Sequence, residues 1–165
     1  MRVLKGYINA LPPSVNRMYR NGAFGRKVPT KELQIFKSQS KMKLMKQWLA
    51  EEPLKDNVPY TVSLTFYIPD MENKGWPKSA KSRFKKKDVS NLIKAVEDVV
   101  ADACGVDDKN FVEMTVTKVA GVEPGVLINI VELSEDVIYL EKNSYGEEIQ
   151  WDPETARLRE ICVRT

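Results

Sequence analysis

A chain of 165 residues, 42% hydrophobic and 30% charged, has the composition of one folded domain with its own core, which argues against both a disordered and a membrane-spanning protein. It has no run of about 18 apolar residues and no apolar leader after Met1, so the cytoplasm is the expected compartment and no membrane partner is expected. There is no histidine, which excludes the commonest zinc ligand, a histidine base and every Ser-His or Cys-His pair. Cys104 and Cys162 belong to no CxxC, and no disulfide is expected. Chemistry is left to carboxylates, lysines and a hard metal ion.

The net charge of +3 conceals a basic middle (Lys74, Lys78, Lys81, Arg83, Lys85, Lys86, Lys87) and an acidic end (Glu132, Glu135, Asp136, Glu141, Glu147, Glu148). In chain order, Val3, Leu4, Tyr7 and Ile8 suggest a first strand over residues 2 to 10, closed by Pro12-Pro13-Ser14. Asn16, Arg17, Tyr19, Arg20, Asn21, Gly22 and Gly25 read as a loop whose donors suit phosphate or nothing at all. Leu33, Phe36, Leu44, Met45, Trp48 and Leu49 recur at helical spacing from Thr30, the expected N-cap, to about Glu51 before Pro53. Lys37, Lys41, Lys43 and Lys46 of that helix are read first as its solvated face and second as DNA contacts. Val62, Leu64, Phe66 and Ile68 alternate as in a half-buried strand over Tyr60 to Ile68.

Residues 70 to 87 form a long, lysine-rich loop, a length that usually signals function or mobility. A helix is expected from Asp88, as N-cap, to about Ala103, with Gly105 as terminator. At about 100° per residue, Val89, Leu92, Ile93, Val96, Val99, Val100 and Ala103 share one face, with Asp88, Asn91, Asp98 and Asp102 beside it. Phe111 to Val119 and Val126 to Val131, around a Gly-Val-Glu-Pro-Gly turn, are expected as paired antiparallel strands. The order β-α-β-α-β-β indicates an α+β fold: a two-layer single domain, a mixed β-sheet with helices on one face. After Ser134 the expected elements are a short strand at Val137 to Leu140 and a helix from Pro153 to Cys162, in an acidic appendage.

Phosphodiester hydrolysis needs a divalent ion, and Mg²⁺ or Mn²⁺ prefers carboxylate oxygen. Asp88, Asp98, Asp107 and Asp108 converge if the chain folds back after the second helix, and Lys94 would then neutralise phosphate. Each alone reads first as structural: Asp88 as a cap, Asp107-Asp108 as a turn, and Lys94 as one end of an ion pair with Glu97 or Asp98.

Pro12-Pro13-Ser14-Val15-Asn16-Arg17-Met18-Tyr19-Arg20, then Lys85-Lys86-Lys87-Asp88-Val89-Ser90-Asn91-Leu92-Ile93-Lys94-Ala95-Val96-Glu97-Asp98, then Val106-Asp107-Asp108-Lys109-Asn110-Phe111-Val112 resemble, in order and spacing, the signature of RusA-like Holliday-junction resolvases. The resemblance spans residues 12 to 118 and implies a RusA-like nuclease domain over 1 to 133, with the appendage at 134 to 165. It implies a homodimeric, Mg²⁺- or Mn²⁺-dependent endonuclease of the phage and prophage type, which resolves four-way junctions and other branched DNA by paired symmetric nicks in recombination and repair. It makes Asp88 and Asp108 metal ligands and Lys94 the catalytic or phosphate-neutralising lysine. Asn91 and Asp98 become supporting residues, Asp107 the second acid of a pair, and Asn16, Arg17, Tyr19, Arg20, Lys85, Lys86, Lys87 and Asn91 DNA contacts.

The family usually has an acid two residues after the first aspartate, where this chain has Ser90. Three explanations stay open: Ser90 binds metal through water, Asp98 or Asp107 supplies the missing oxygen, or the enzyme is weak. Substitution by a neighbouring carboxylate is preferred. The alternative to an enzyme is a non-catalytic branched-DNA-binding protein of the same fold.

Overall fold

The computed structural model describes residues 2–85, 88–134, 149–152 and 157–160. The chain divides into two compact units, Met1–Glu132 and Leu133–Thr165.

The first unit is built on a four-stranded sheet in the order β1-β6-β4-β5, from β1 (Val3–Ile8), β4 (Tyr60–Ile68), β5 (Phe111–Ala120) and β6 (Gly125–Glu132). β6 runs antiparallel to both β1 and β4, while β5 runs parallel to β4. The sheet is therefore mixed, as expected. Rows of side chains cross it in register: Leu4, Ile130, Val62 and Met114 in one, Ile8, Val126 and Phe66 in another. The members of these rows on β1, β4 and β6 are buried, in step with the period-two pattern of the sequence.

That face is covered by two helices, α2 (Lys31–Gln47) and α3 (Ser90–Cys104). Leu33, Phe36, Leu44 and Trp48 are buried from α2 and its end, and Val96, Val99 and Val100 from α3. Met45 and Leu49, expected on the apolar face of α2, are instead 49% and 86% exposed: the buried stripe of the helix runs through Leu33, Phe36, Ser40 and Leu44, to one side of Met45, and the helix stops at Gln47, before Leu49. The sheet lets α2 come close at Gly6, where a Cβ would lie 2.7 Å from the Trp48 ring. The Gln47 amide bonds both the N–H and the carbonyl of Tyr7, each at 2.8 Å, occupying part of the β1 edge.

The expected β5–β6 hairpin does not form, because β4 lies between the two strands. Residues 121 to 124 suffice for this: four linking residues reach roughly 15 Å, and crossing one intervening strand needs about 10 Å. A register shift opposite Tyr60 and Thr61 passes over Val112. This bulge resets the alternation, so that Phe111, Met114 and Val116 pack against the core and Val112 is exposed.

The expected loop after Pro13 is more ordered than its composition suggests. It holds one helical turn, α1 (Val15–Met18), and a hairpin of β2 (Tyr19–Asn21) and β3 (Lys27–Pro29), joined by a 3-10 turn. Thr30 then starts α2 as expected: its Oγ1 accepts from the Leu33 N–H at 3.3 Å and donates to the Arg17 carbonyl at 2.6 Å. Thr30→Ala should lower the unfolding free energy by about 1 to 2 kcal/mol, read from urea denaturation, with Thr30→Ser keeping most of it.

α3 ends at Gly105, whose φ of 72° is the left-handed terminator expected. Its start lies later than expected. The N-cap position is Val89 without a side-chain cap, and the Asp88 carboxylate reaches in from one residue further out.

In the second unit, β7 (Ile149–Asp152) pairs antiparallel with β8 (Arg157–Glu160). The helix expected over Pro153 to Cys162 is thus a strand at Arg157–Glu160, where Arg-Leu-Arg-Glu alternates with period two. The strand expected at Val137 to Leu140 lies outside the described residues. Among the described residues no helix is long and apolar enough to cross a membrane.

Candidate active site at the start of α3

Asp88 precedes α3 and accepts through Oδ1 from the Ser90 N–H at 3.1 Å and the Ser90 hydroxyl at 2.5 Å. This is an Asx turn that fixes the carboxylate against the helix start. Ser90 therefore acts on Asp88 as a supporting donor.

One turn into α3, the Lys94 ammonium donates to Asp108 Oδ2 and lies 3.1 Å from Asp98 Oδ1 and 3.3 Å from Glu97 Oε2. The other oxygen of Asp98 takes Lys37 Nζ of α2 at 2.6 Å. Lysines and carboxylates alternate in a row from α2 across α3 to the loop beyond: Lys37, Asp98, Lys94, Asp108.

Asp108 is presented by a 3-10 turn, Asp108–Asn110, that Asp107 caps. The Asp107 carboxylate accepts from the Lys109 N–H at 3.0 Å and lies 3.1 Å from the Lys109 ammonium. One acid of the pair builds the turn and the other faces Lys94.

Electrostatics follow from this packing. The hydrogen bond that Lys94 donates to Asp108 is the largest influence on it; with Asp98 and Glu97 this outweighs partial burial and holds the ammonium well above the ordinary lysine value. Lys94 therefore carries its charge throughout the neutral range. Burial pushes the Asp98 carboxyl up, and the two lysines more than reverse this, leaving it below the ordinary carboxylate range. Asp107 is also held low, chiefly by the Lys109 N–H.

A depressed carboxylate stabilises the fold above its unfolded value and loses that contribution as pH falls through the folded one. The Lys37–Asp98 bridge should thus weaken only in acid, below about pH 4. A double-mutant cycle of Lys37→Met and Asp98→Asn should give a coupling of about 1 kcal/mol at pH 7, whereas the more exposed Arg17–Glu32 pair should give close to zero. Equal couplings would show that α2 and α3 are not held by this bridge.

The acids expected to converge do so in part. Asp98 and Asp108 meet through Lys94, while Asp107 turns to Lys109 and Asp88 to Ser90. Among the described residues no three acidic or cysteine side chains form a metal-holding group, and an ammonium, that of Lys94, stands amid Asp98, Glu97 and Asp108. Lys37, read from the sequence as solvated face or DNA contact, is instead half-buried and paired with Asp98, and no local signal marks this pairing, because its partner is 61 positions away.

Of the expected DNA contacts, Asn16, Tyr19 and Arg20 are exposed, and Arg17 is paired with Glu32 at 2.5 Å. Lys86 and Lys87 lie outside the described residues. So does the Asn91 side chain, while its backbone belongs to the first turn of α3. Residues 70 to 85 form a clasped loop. The Asn73 amide donates to the Ser82 and Phe84 carbonyls at 2.6 and 3.0 Å, and the Lys85 N–H bonds the Met71 carbonyl at 2.7 Å. Lys74, Lys78 and Lys81 are exposed on it, and Lys85 is half-buried.

Aspartates flanking a permanently charged lysine on an α+β scaffold, with cation-bearing loops on both sides in sequence, define a site for phosphodiester chemistry without histidine. The chain belongs to the endodeoxyribonuclease RusA family, whose model matches residues 10–131. No curated protein matches it. Family membership implies nuclease activity of the Holliday-junction-resolving class, with branched DNA as the substrate, and the matched span includes every residue of the site just described.

Proposed function

We propose that this chain is a structure-specific endonuclease that resolves four-way junctions by paired symmetric nicks, acting in the cytoplasm as a homodimer with Mg²⁺ or Mn²⁺, in recombination and repair. The observation that carries this reading is the contact between Lys94 and Asp108, which brings the helix and the following loop together at one place. The donor chemistry fits a hard ion: Mg²⁺ commonly takes one or two carboxylates, with water and substrate phosphate completing its shell. Asp88 and Asp108 would hold it, and a third acid at position 90 is then dispensable. When bound, the ion would supply an activated water and offset charge on the phosphate.

The chain's own residues do the rest. Lys94 places a fixed positive charge against a phosphate oxygen, exchanging its contact with Asp108 for one with the substrate. Asp98, held by Lys37, keeps the Lys94 side chain from swinging away. Arg20 and Tyr19, together with Lys85, Lys86, Lys87 and Asn91, would bind backbone and set register. A four-way junction presents equivalent strands, so a two-fold dimer brings one site to each. The domain over 1 to 133 carries all these groups, and the acidic appendage none.

A second reading is favoured by one observation: an ammonium occupies the centre of the carboxylate cluster. On that reading the chain binds branched DNA and does not cut it. Labelled four-way junction and linear duplex, each with Mg²⁺, Mn²⁺ or EDTA, separate the two. Paired nicks in the junction alone, and only with metal, are expected. Equally tight junction binding in EDTA and Mg²⁺ without products would establish the non-catalytic binder.

A further inference from the structure

Phe24, at the tip of the β2–β3 hairpin, is fully exposed, at 100% of its accessible surface. Its backbone is left-handed, with φ 57° and ψ 30°, and Gly25 follows with φ 72°. Two successive residues of positive φ are normally supplied by Asn-Gly or Gly-Gly. A bulky aromatic is among the residues least suited to the first of these positions. Single exposed apolar residues are common and need no explanation. An aromatic that is both fully solvated and conformationally costly is different, because it contributes nothing to the fold in return.

The hairpin beneath it is firmly anchored. Met18 is buried at its base, the Thr30 N–H bonds the Met18 carbonyl at 2.8 Å, and the Gly22 N–H bonds the Arg26 carbonyl at 2.8 Å. Around the tip, Arg20, Arg26 and Lys27 are all exposed. The result is a rigid, cationic ribbon ending in an aromatic ring.

The level of its root is set by α2. Lys37 of α2 meets Asp98 of α3, and further along Lys41 and Met45 line one cavity with Asp102 and Cys104, so the two helices run the same way. Thr30 precedes Lys37 by about 10 Å of helix, which puts the root of the hairpin level with the first turns of α3.

We propose that Phe24 is a base-stacking wedge, which inserts against the unpaired or weakly stacked nucleobases at a DNA branch point while Arg20, Arg26 and Lys27 hold the flanking phosphates. This rests on the reading of the chain as a branched-DNA nuclease and adds the device by which it tells a branch from a duplex. Apolar wedges next to cations unstack bases where stacking is already weak, and ring-on-base stacking is indifferent to sequence.

The test uses a four-way junction with 2-aminopurine at the branch, bound in EDTA, and the same junction against linear duplex in Mg²⁺ cleavage. Wild type and Phe24→Trp should raise 2-aminopurine fluorescence, and Phe24→Ala should not. Phe24→Ala should bind the junction on the order of tenfold more weakly, with duplex affinity unchanged, so that junction preference falls by the same factor. A Phe24→Ala protein with the full preference and the full fluorescence rise would overturn the wedge and leave the nuclease intact. A wild type that treats junction and duplex alike would overturn the function on which the wedge depends.

Discussion

Asp88→Asn and Asp108→Asn should each slow junction cleavage by about 10²- to 10³-fold while changing junction affinity only a few-fold. The geometry ranks the acids, and the ranking is what makes the expectation specific. Asp88 stands at the helix start with Ser90 fixing its rotamer, and Asp108 is aimed across the site at Lys94. Asp98 spends both oxygens on lysines, so Asp98→Asn should cost less, about tenfold to a hundredfold, the range of residues that act by orienting others. Asp107 faces its own turn and Lys109, and Asp107→Asn should act mainly on the stability of that turn. Single-turnover cleavage of one labelled junction by the four variants measures the order directly. If Asp107→Asn proved as damaging as Asp108→Asn, the assignment of roles within the Asp107-Asp108 pair would be reversed. If Asp98→Asn equalled Asp88→Asn, Asp98 would be a ligand and Lys37 would have to release it.

The parts of this molecule that local chemistry dictates are legible in its sequence. Thr30 and Gly105 bound α2 and α3 through their own side chain or backbone freedom, and the alternation from Tyr60 to Ile68 marks a central strand covered on one face. What sequence reading missed is set by partners remote along the chain. β4 inserts between β5 and β6 because both pair with it more extensively than a short turn can enforce. The Val112 bulge shifts the phase of β5, which makes an apparently regular alternation misleading. The β2–β3 hairpin has strands of three residues, too short for any period to show. At the site, Asp88, Lys94 and Asp108 are singled out by the family resemblance of the motifs that hold them, whereas the pairing of Lys37 with Asp98 becomes visible only when α2 lies beside α3. Phe24 looks like one more apolar residue until the fold leaves it at a tip with nothing to cover it.

Lys94→Met should abolish most cleavage, by about 10²- to 10³-fold, and at the same time tighten the binding of Mn²⁺ to the DNA-free protein. The two effects have one cause. Lys94 is the cation shared by Asp98, Glu97 and Asp108, and removing it leaves those carboxylates facing one another with Lys37 as the remaining lysine seen in the cluster. Such a cluster attracts a divalent ion more strongly yet offers nothing to a phosphate oxygen. Lys94→Arg should keep part of the activity, since the charge survives, and lose part, since a planar fork does not fit where a single ammonium meets three carboxylates. In the DNA-free protein its neighbours hold Lys94 well above the ordinary lysine value, and in the complex the phosphate would take the place of Asp108, so wild-type cleavage should show no loss attributable to this residue across the neutral range. Calorimetric Mn²⁺ titration alongside single-turnover kinetics separates this from a structural role, which would weaken metal binding and cleavage together. Tighter metal binding with lost cleavage is the signature of a lysine whose charge belongs to the substrate.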